Sequence, residues 1–449
     1  MATERFFERF RRVLGAPADG AGLAAFRVLL GCLLVVSALR FVRRGWVEAL
    51  YLAPSYHFPY AGFSWVMPLG AYTYGLFAAL ALSGVALALG FQTRIAAGVA
   101  CALFTYLELI DKALYLNHYY LVSLLTFLCA VLPVGAAFSL DARRQAATHT
   151  VPALAYYVLR AQVALVYVYA GLAKLNPDWL FEAMPLELWL ATHAGLPVVG
   201  SLLALPVTAF VMSWAGALFD LGIVPLLVWR RTRALGVALA LVFHGAIGLL
   251  FPVGVFSLVM LVAVTVFFDH SWPRRFWRRG GAAAAGGDAP GVGRAAFTFA
   301  AIYLLIQLLL PLRCLLYPGP VNWTEEGFRF AWRVMLVEKA GHAEFRVVSE
   351  RPARHFSVTP REELTPLQAG MMATQADMLV DYARHLRERY EARGWTGVKV
   401  FADVFVAYNG RPSQRFVRAD VDLSRARCVI SACDFILPLQ SPDQPSSTR

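Results

Sequence analysis

Nine apolar stretches run through the first 317 residues, near residues 21–40, 70–90, 94–110, 118–138, 152–174, 208–229, 234–252, 254–269 and 296–316. Most approach the roughly twenty residues that a helix needs to cross a hydrocarbon core. Backbone amides cannot stay unpaired in lipid, so the pattern predicts a mainly α fold: a polytopic transmembrane helical bundle of about nine spans. The eighth stretch is short and can pair with the seventh as a hairpin around Pro252 and Gly254. Composition points the same way. Of 449 residues, 59% are hydrophobic and 16% charged, where a soluble domain is nearer half and a quarter. That excludes an ordinary soluble enzyme and a disordered chain. The first stretch is not a cleaved signal, because Arg40, Arg43 and Arg44 follow it instead of a small-residue cleavage site.

Positive charge orients the spans. The net charge is +12, and all but four of the basic residues (Lys112, Lys174, Lys339 and Lys399) are arginine. Arg5, Arg9, Arg11 and Arg12 precede the first span. Arg94, the pair Arg143–Arg144, the group Arg230, Arg231 and Arg233, and the group Arg274, Arg275, Arg278 and Arg279 follow even-numbered spans. With a cytoplasmic N-terminus and nine crossings, all of these lie inside and the C-terminal region lies outside. Lys112 and the Arg40–Arg44 group are exceptions on the outer side. The charge therefore has a topological explanation that needs no nucleic-acid partner. The segment GGAAAAGGDAPGVG at 280–293 reads as a flexible inner linker before the last span.

From residue 318 charges become frequent. Met378, Leu379, Tyr382, Leu386 and Tyr390 form a helical stripe, VKVFADVFVAYNG alternates like a strand before a turn at Asn409–Gly410, and residues 344–348 and 414–418 are further strand candidates. The expected division is a membrane domain, 1–317, and an extramembrane α+β domain, 318–449. Of six cysteines, Cys32, Cys101, Cys129 and Cys314 lie in apolar stretches as small hydrophobes. Cys428 and Cys433 can form a disulfide or remain unpaired thiols.

Polar groups inside spans are costly and need a reason. Lys174 ends the fifth span. It either snorkels to the outer interface, near Asn176 and Asp178, or faces a cavity where a desolvated amine can take a proton. Arginine cannot do the latter, since it stays charged. Arg160 and Gln162, on the same span, lie too far from Lys174 to share its site, roughly 21 Å for Arg160 along a helix axis. His118 opens the fourth span and His244 lies mid-way along the seventh, as interhelical hydrogen-bonding groups or as cavity residues near Lys174. Asp220, in the sixth span, is expected to pair with a polar group of a neighbouring helix. No metal-ligand spacing, phosphate loop or GxSxG elbow occurs, so no metal is expected.

Several segments in order resemble the vitamin K-dependent gamma-carboxylase family, whose membrane part is the HTTM domain. LRAQVALVYVYAGLAKLNPDW at 159–179 is similar to the family's stretch around its catalytic lysine. NHYYLVSLLTF at 117–127 and FHGAIGLLFPVGVFSLVML at 243–261 resemble two others, while NWTEEGFRFAWRVM at 322–335 and ADMLVDYA at 376–383 resemble the extramembrane part. The resemblance implies an enzyme that uses vitamin K hydroquinone, O2 and CO2 to turn peptide glutamate into gamma-carboxyglutamate, releasing the epoxide. It implies Lys174 as the base toward the hydroquinone, with His118 and Asn117 beside the oxygenation chemistry. It also implies His244 and Tyr119 as cofactor-binding, and Trp323, Phe328 and Trp332 as substrate-binding. A lysine amine is far too weak to take a proton from a glutamyl γ-carbon, so the stronger base must arise from the quinol in a dry pocket.

The sequence also departs from the family. Ala173 stands where animal enzymes carry a second lysine, Phe328 where they have tyrosine and Val337 where they have histidine. The chain stops sooner than the animal enzymes, so a smaller propeptide-binding surface is expected. These changes leave two rivals: a quinol epoxidase without peptide carboxylation, and a non-enzymatic transporter or lipid-binding protein. Expected partners are the lipid bilayer and a glutamate-containing peptide or protein.

Overall fold

A computed structural model describes residues 12–145, 149–276, 292–428 and 432–440. Arg5, Arg9, Arg11, Arg278, Arg279 and most of the 280–293 linker lie outside the described residues. The chain is mainly helical, with a small sheet near the C-terminus. The apolar helices are α1 (Ala21–Arg43), α2 (Thr73–Leu89), α3 (Thr93–Ile110), α4 (Asn117–Val131), α5 (Leu154–Ala173), α6 (Pro206–Val228), α7 (Arg233–Leu250), α8 (Phe256–Val264) and α9 (Arg294–Leu309).

Among the described residues seven helices are long and apolar enough to cross a membrane, and the fourth and eighth stretches form shorter apolar helices, Asn117–Val131 and Phe256–Phe267. The expectation of a fourth span reaching residue 138 is corrected. Pro133 follows Leu132, and a residue before proline is pushed out of the helical region, so α4 stops at Val131 with Leu132 already extended. The α7–α8 turn does form at Pro252 and Gly254, where Gly254 takes a left-handed φ of +62°.

Neighbouring helices pack in sequence, α1 on α2, α3 on α4, α5 on α6, α6 on α7 and α7 on α8. Close approach needs small residues at the crossings. A Cβ on Gly31 would come within 2.6 Å of the Gly84 carbonyl of α2, and one on Gly171 within 2.7 Å of the Leu221 side chain of α6. The second crossing sets the site described below.

The remainder has its own core. Strands β1 (Lys339–Ser349), β2 (Arg354–Val358), β3 (Lys399–Tyr408) and β4 (Gln414–Arg415) form an antiparallel sheet in the order β2–β1–β3–β4. Phe345, Val347, Val400, Val404 and Val406 point from it into a core that also holds the expected stripe of helix α11 (Ala376–Glu391). Ahead of it lies helix α10 (Pro366–Ala373). The strand expected over 414–418 is shorter than the sequence suggests. After Arg415, Val417 makes only an isolated bridge to Ile436. Cys428 and Cys433 are joined as a disulfide.

Charges tie this part to the membrane helices. Lys112, just after α3, donates to Asp377 at 2.9 Å and to Asp381, one turn apart on α11, and Arg329 pairs with Asp377 at 2.8 Å. Arg411 grips Asp178 with two hydrogen bonds of 2.8 and 2.7 Å, and Asn409 adds a third. Lys112, an apparent exception to the charge rule, is thus a docking residue. Burial pushes the Asp377 carboxyl up, but the Arg329 and Lys112 charges outweigh it and hold the group well below the usual carboxylate range. A depressed folded-state pKa gives stability that is full above the unfolded value, about 3.9, and is lost as pH falls through the folded one. The Asp377 contacts are therefore expected to hold through neutral pH and loosen only in strong acid, whereas Asp381, raised by burial, lets go of Lys112 first. Asp377→Asn should flatten the acid limb of a plot of thermal unfolding against pH; an unchanged limb would assign the acid sensitivity to other carboxylates.

Candidate active site

Lys174 caps the C-terminal end of α5, and its side chain turns inward. Its Nζ donates to Asp220 Oδ2 of α6 at 2.8 Å, makes a longer contact of 3.4 Å to the Ala170 carbonyl, and lies 5.2 Å from the centre of the Trp179 ring. Both residues of the ion pair are 5% exposed. Snorkelling is therefore not what the side chain does. The pair exists because Gly171 lets α6 approach α5 and because Gly216, one turn before Asp220, leaves space beside the lysine stem. Trp179 is fixed by its indole N–H, which donates to the Ser213 carbonyl at 2.8 Å.

His244 of α7 lines the same chamber as Lys174 and Asp220. Its Nε2 lies 2.8 Å from the Tyr167 hydroxyl, while its Nδ1 is buried without a hydrogen-bond partner. Buried polar atoms are nearly always satisfied, so an orphan atom in a chamber wall is a place for a ligand. The chamber is about 80 Å³, below the 300 to 1,000 Å³ of usual small-molecule sites.

His118 lines a second chamber of about 670 Å³, together with Asn117, Tyr119, Arg40, Trp46 and Tyr51. The two chambers share Phe256, Val334 and Met335 as walls. The Phe256 ring lies 5.8 Å from each of the His118 and His244 rings. The residues expected to meet at one point thus occupy two adjoining rooms divided by one aromatic side chain.

The extramembrane candidates separate. Trp323 is fully buried in the sheet core, packed edge-on against Tyr408 and Phe416 with its N–H on the Leu437 carbonyl. Beneath it Lys339 is buried and held by Glu325 at 3.1 Å. Burial drives the Lys339 pKa down, against the opposing Glu325 charge. Phe328 borders a charged cleft of about 350 Å³ between the two parts, with Tyr115 at its edge. Trp332 stacks on Tyr120 of α4, 4.9 Å between centroids, in the core of the helical bundle. The Asn117 amide donates to the Arg333 carbonyl at 2.9 Å and so anchors this segment. Phe330, Trp332 and Met335 all have left-handed φ angles, between 51° and 64°, each at a backbone cost that the surrounding packing must offset.

Residues 16–272, more than half of the chain, match the family model described as the HTTM domain, and residues 293–442 match the vitamin K-dependent gamma-carboxylase lumenal domain. The chain belongs to the vitamin K-dependent gamma-carboxylase family. No solved structure matches it. As a gamma-carboxylase family member it is a membrane protein for which vitamin K is the implied cofactor. The larger chamber fits such a group. It is mainly apolar, walled by Phe41, Trp46 and Leu50 with Arg40, Asn117 and His118 as polar points, and within the usual size range of a ligand pocket. Among the described residues no cluster of three His, Cys, Asp or Glu groups can hold a metal ion.

Sequence reasoning missed Tyr167 and Phe256. Tyr167 lies seven residues before Lys174, two helical turns along one face, and that spacing was a usable signal. Phe256 carried none, since an aromatic in an apolar run reads as packing.

Proposed function

We propose that this protein is a vitamin K-dependent gamma-glutamyl carboxylase, a carbon–carbon lyase that uses vitamin K hydroquinone, O2 and CO2. The observation that carries the proposal is a buried lysine–carboxylate pair in a small chamber that adjoins an apolar room of quinone size. When bound, the hydroquinone supplies through its oxygenation the base that removes the glutamyl γ-proton.

The side chains have defined tasks under this reading. Lys174 takes the hydroquinone hydroxyl proton once the Phe256 ring that divides the two chambers turns aside. Paired as an ammonium it has no free lone pair, so its own proton must first sit on Asp220. The 2.8 Å hydrogen bond is the route for that transfer, and desolvation narrows the gap between the ionic and neutral forms of such a pair. Tyr167 orients His244 and leaves Nδ1 for a ligand, while His118, Asn117 and Tyr119 line the room for the ring. Phe328 and Trp332 border the peptide route. Trp323 supports that route from the sheet core. Residues 1–317 act as the membrane domain with a cytoplasmic N-terminus, and residues 318–449 as the outer domain that receives a glutamate-containing peptide.

Phe328 and Val337 favour one rival, quinol epoxidation without carboxylation, because both departures fall on the peptide side. Purified protein given reduced vitamin K, radiolabelled bicarbonate and glutamyl peptides should release epoxide and fix label. Epoxide alone would establish the rival, and neither product would point to a transporter or lipid-binding protein.

A further inference from the structure

Arg40 lies in the last turn of α1 on the side of the charge-rule exceptions, and the larger chamber shows what it does there. Arg43 and Arg44 are exposed, while Arg40 turns into the chamber wall beside His118 and Tyr119. Its guanidinium lies 5.0 Å from the centre of the Trp46 ring. The backbone of Gly254 makes room for it, since a Cβ there would come within 3.3 Å of a guanidinium nitrogen. Its Nε is buried with no hydrogen-bond partner. Among the described residues no carboxylate pairs with it.

A guanidinium cannot shed its charge, and this one, half-buried with an unpartnered Nε, meets the Tyr119 hydroxyl but no anion. The missing anion is therefore a ligand that is charged when it arrives. A hydroquinone is neutral at that stage and does not meet the requirement, whereas a carboxylate does. The chamber is also bounded by Leu367 and Met371 of α10, from the extramembrane part, the side from which a peptide comes. We infer that Arg40 is the binding residue for the side-chain carboxylate of the glutamyl substrate. This rests on the carboxylase reading and adds a task to it. Removing a γ-proton pushes negative charge onto the adjoining carboxylate, and a planar two-point donor there stabilises the charge as it develops.

The test uses the full-length protein in nanodiscs, with Arg40→Gln and Arg40→Lys variants. Binding of a fluorescent glutamyl peptide and its glutaminyl counterpart is measured without hydroquinone, and the KM values for peptide and hydroquinone are measured in turnover. Arg40→Gln should weaken glutamyl peptide binding and raise its KM about 10- to 100-fold, with the hydroquinone KM within about twofold. Arg40→Lys should fall between, and the glutaminyl peptide should bind both variants as weakly as it binds wild type. Unchanged glutamyl affinity overturns the assignment, as does a rise in the hydroquinone KM alone. A defect seen only in discs with acidic phospholipid would assign Arg40 to a lipid phosphate instead. A wild-type protein that fixes label while the variants match it sinks this inference alone. A wild-type protein that fixes no label sinks the carboxylase reading, and the binding arm still judges Arg40.

Discussion

Lys174→Arg is expected to keep the protein folded and its charge pair with Asp220, yet to lose both epoxide release and label fixation by about 10²- to 10⁴-fold, the usual worth of a general base. Arginine preserves the positive charge and a donor toward Asp220 but does not give up its proton near neutral pH. The substitution therefore separates electrostatic from proton-transfer roles, which Lys174→Ala does not. Alanine should abolish both products as well, but it also leaves Asp220 buried alone. Epoxide and label measured on the same reconstituted sample decide the matter. Full turnover in the arginine variant would reject Lys174 as the base and leave it a structural partner of Asp220.

Asp220→Ala should destabilise the protein by about 3–5 kcal/mol, because Lys174 would remain a buried charge without its partner. A double replacement, Lys174→Met with Asp220→Leu, should recover most of that loss, since two apolar groups of similar volume impose no charge-burial cost there. It should recover no activity. Thermal unfolding of Lys174→Met, Asp220→Leu and the double variant against wild type in the same detergent gives the coupling energy directly. If the double variant is as unstable as Asp220→Ala, the ion pair is not what links α5 to α6, and the packing of Gly171 on Leu221 carries the contact alone.

Much of the chain was legible because its signals are local. An apolar run of some twenty residues is a helix wherever it sits in lipid, and the Met378–Tyr390 stripe is a helix face by its spacing alone. The family was likewise readable from ordered segments such as 159–179. The length of α4 is not legible from apolar content, because Pro133 acts on the preceding backbone and ends the helix at Val131. Trp323 shows a different limit. Its motif drew attention, but a tryptophan in a motif looks the same whether it lines a cleft or fills a core, and here the sheet closes over it.

Sequence alone determined that this is a mainly helical membrane protein of the gamma-carboxylase family, and it singled out Lys174, His118, His244 and Asp220 as polar groups that hydrocarbon does not tolerate without cause. Only the tertiary structure decided that Asp220, forty-six residues along the chain, is the partner of Lys174, that His118 and His244 face separate chambers across Phe256, and that Arg40 turns inward. The reason is physical. Hydropathy and helical period depend on each residue and its near neighbours, whereas the meeting of two charges across helices depends on how closely the backbones pack, and that distance is set by glycines such as Gly171 acting together with the whole bundle.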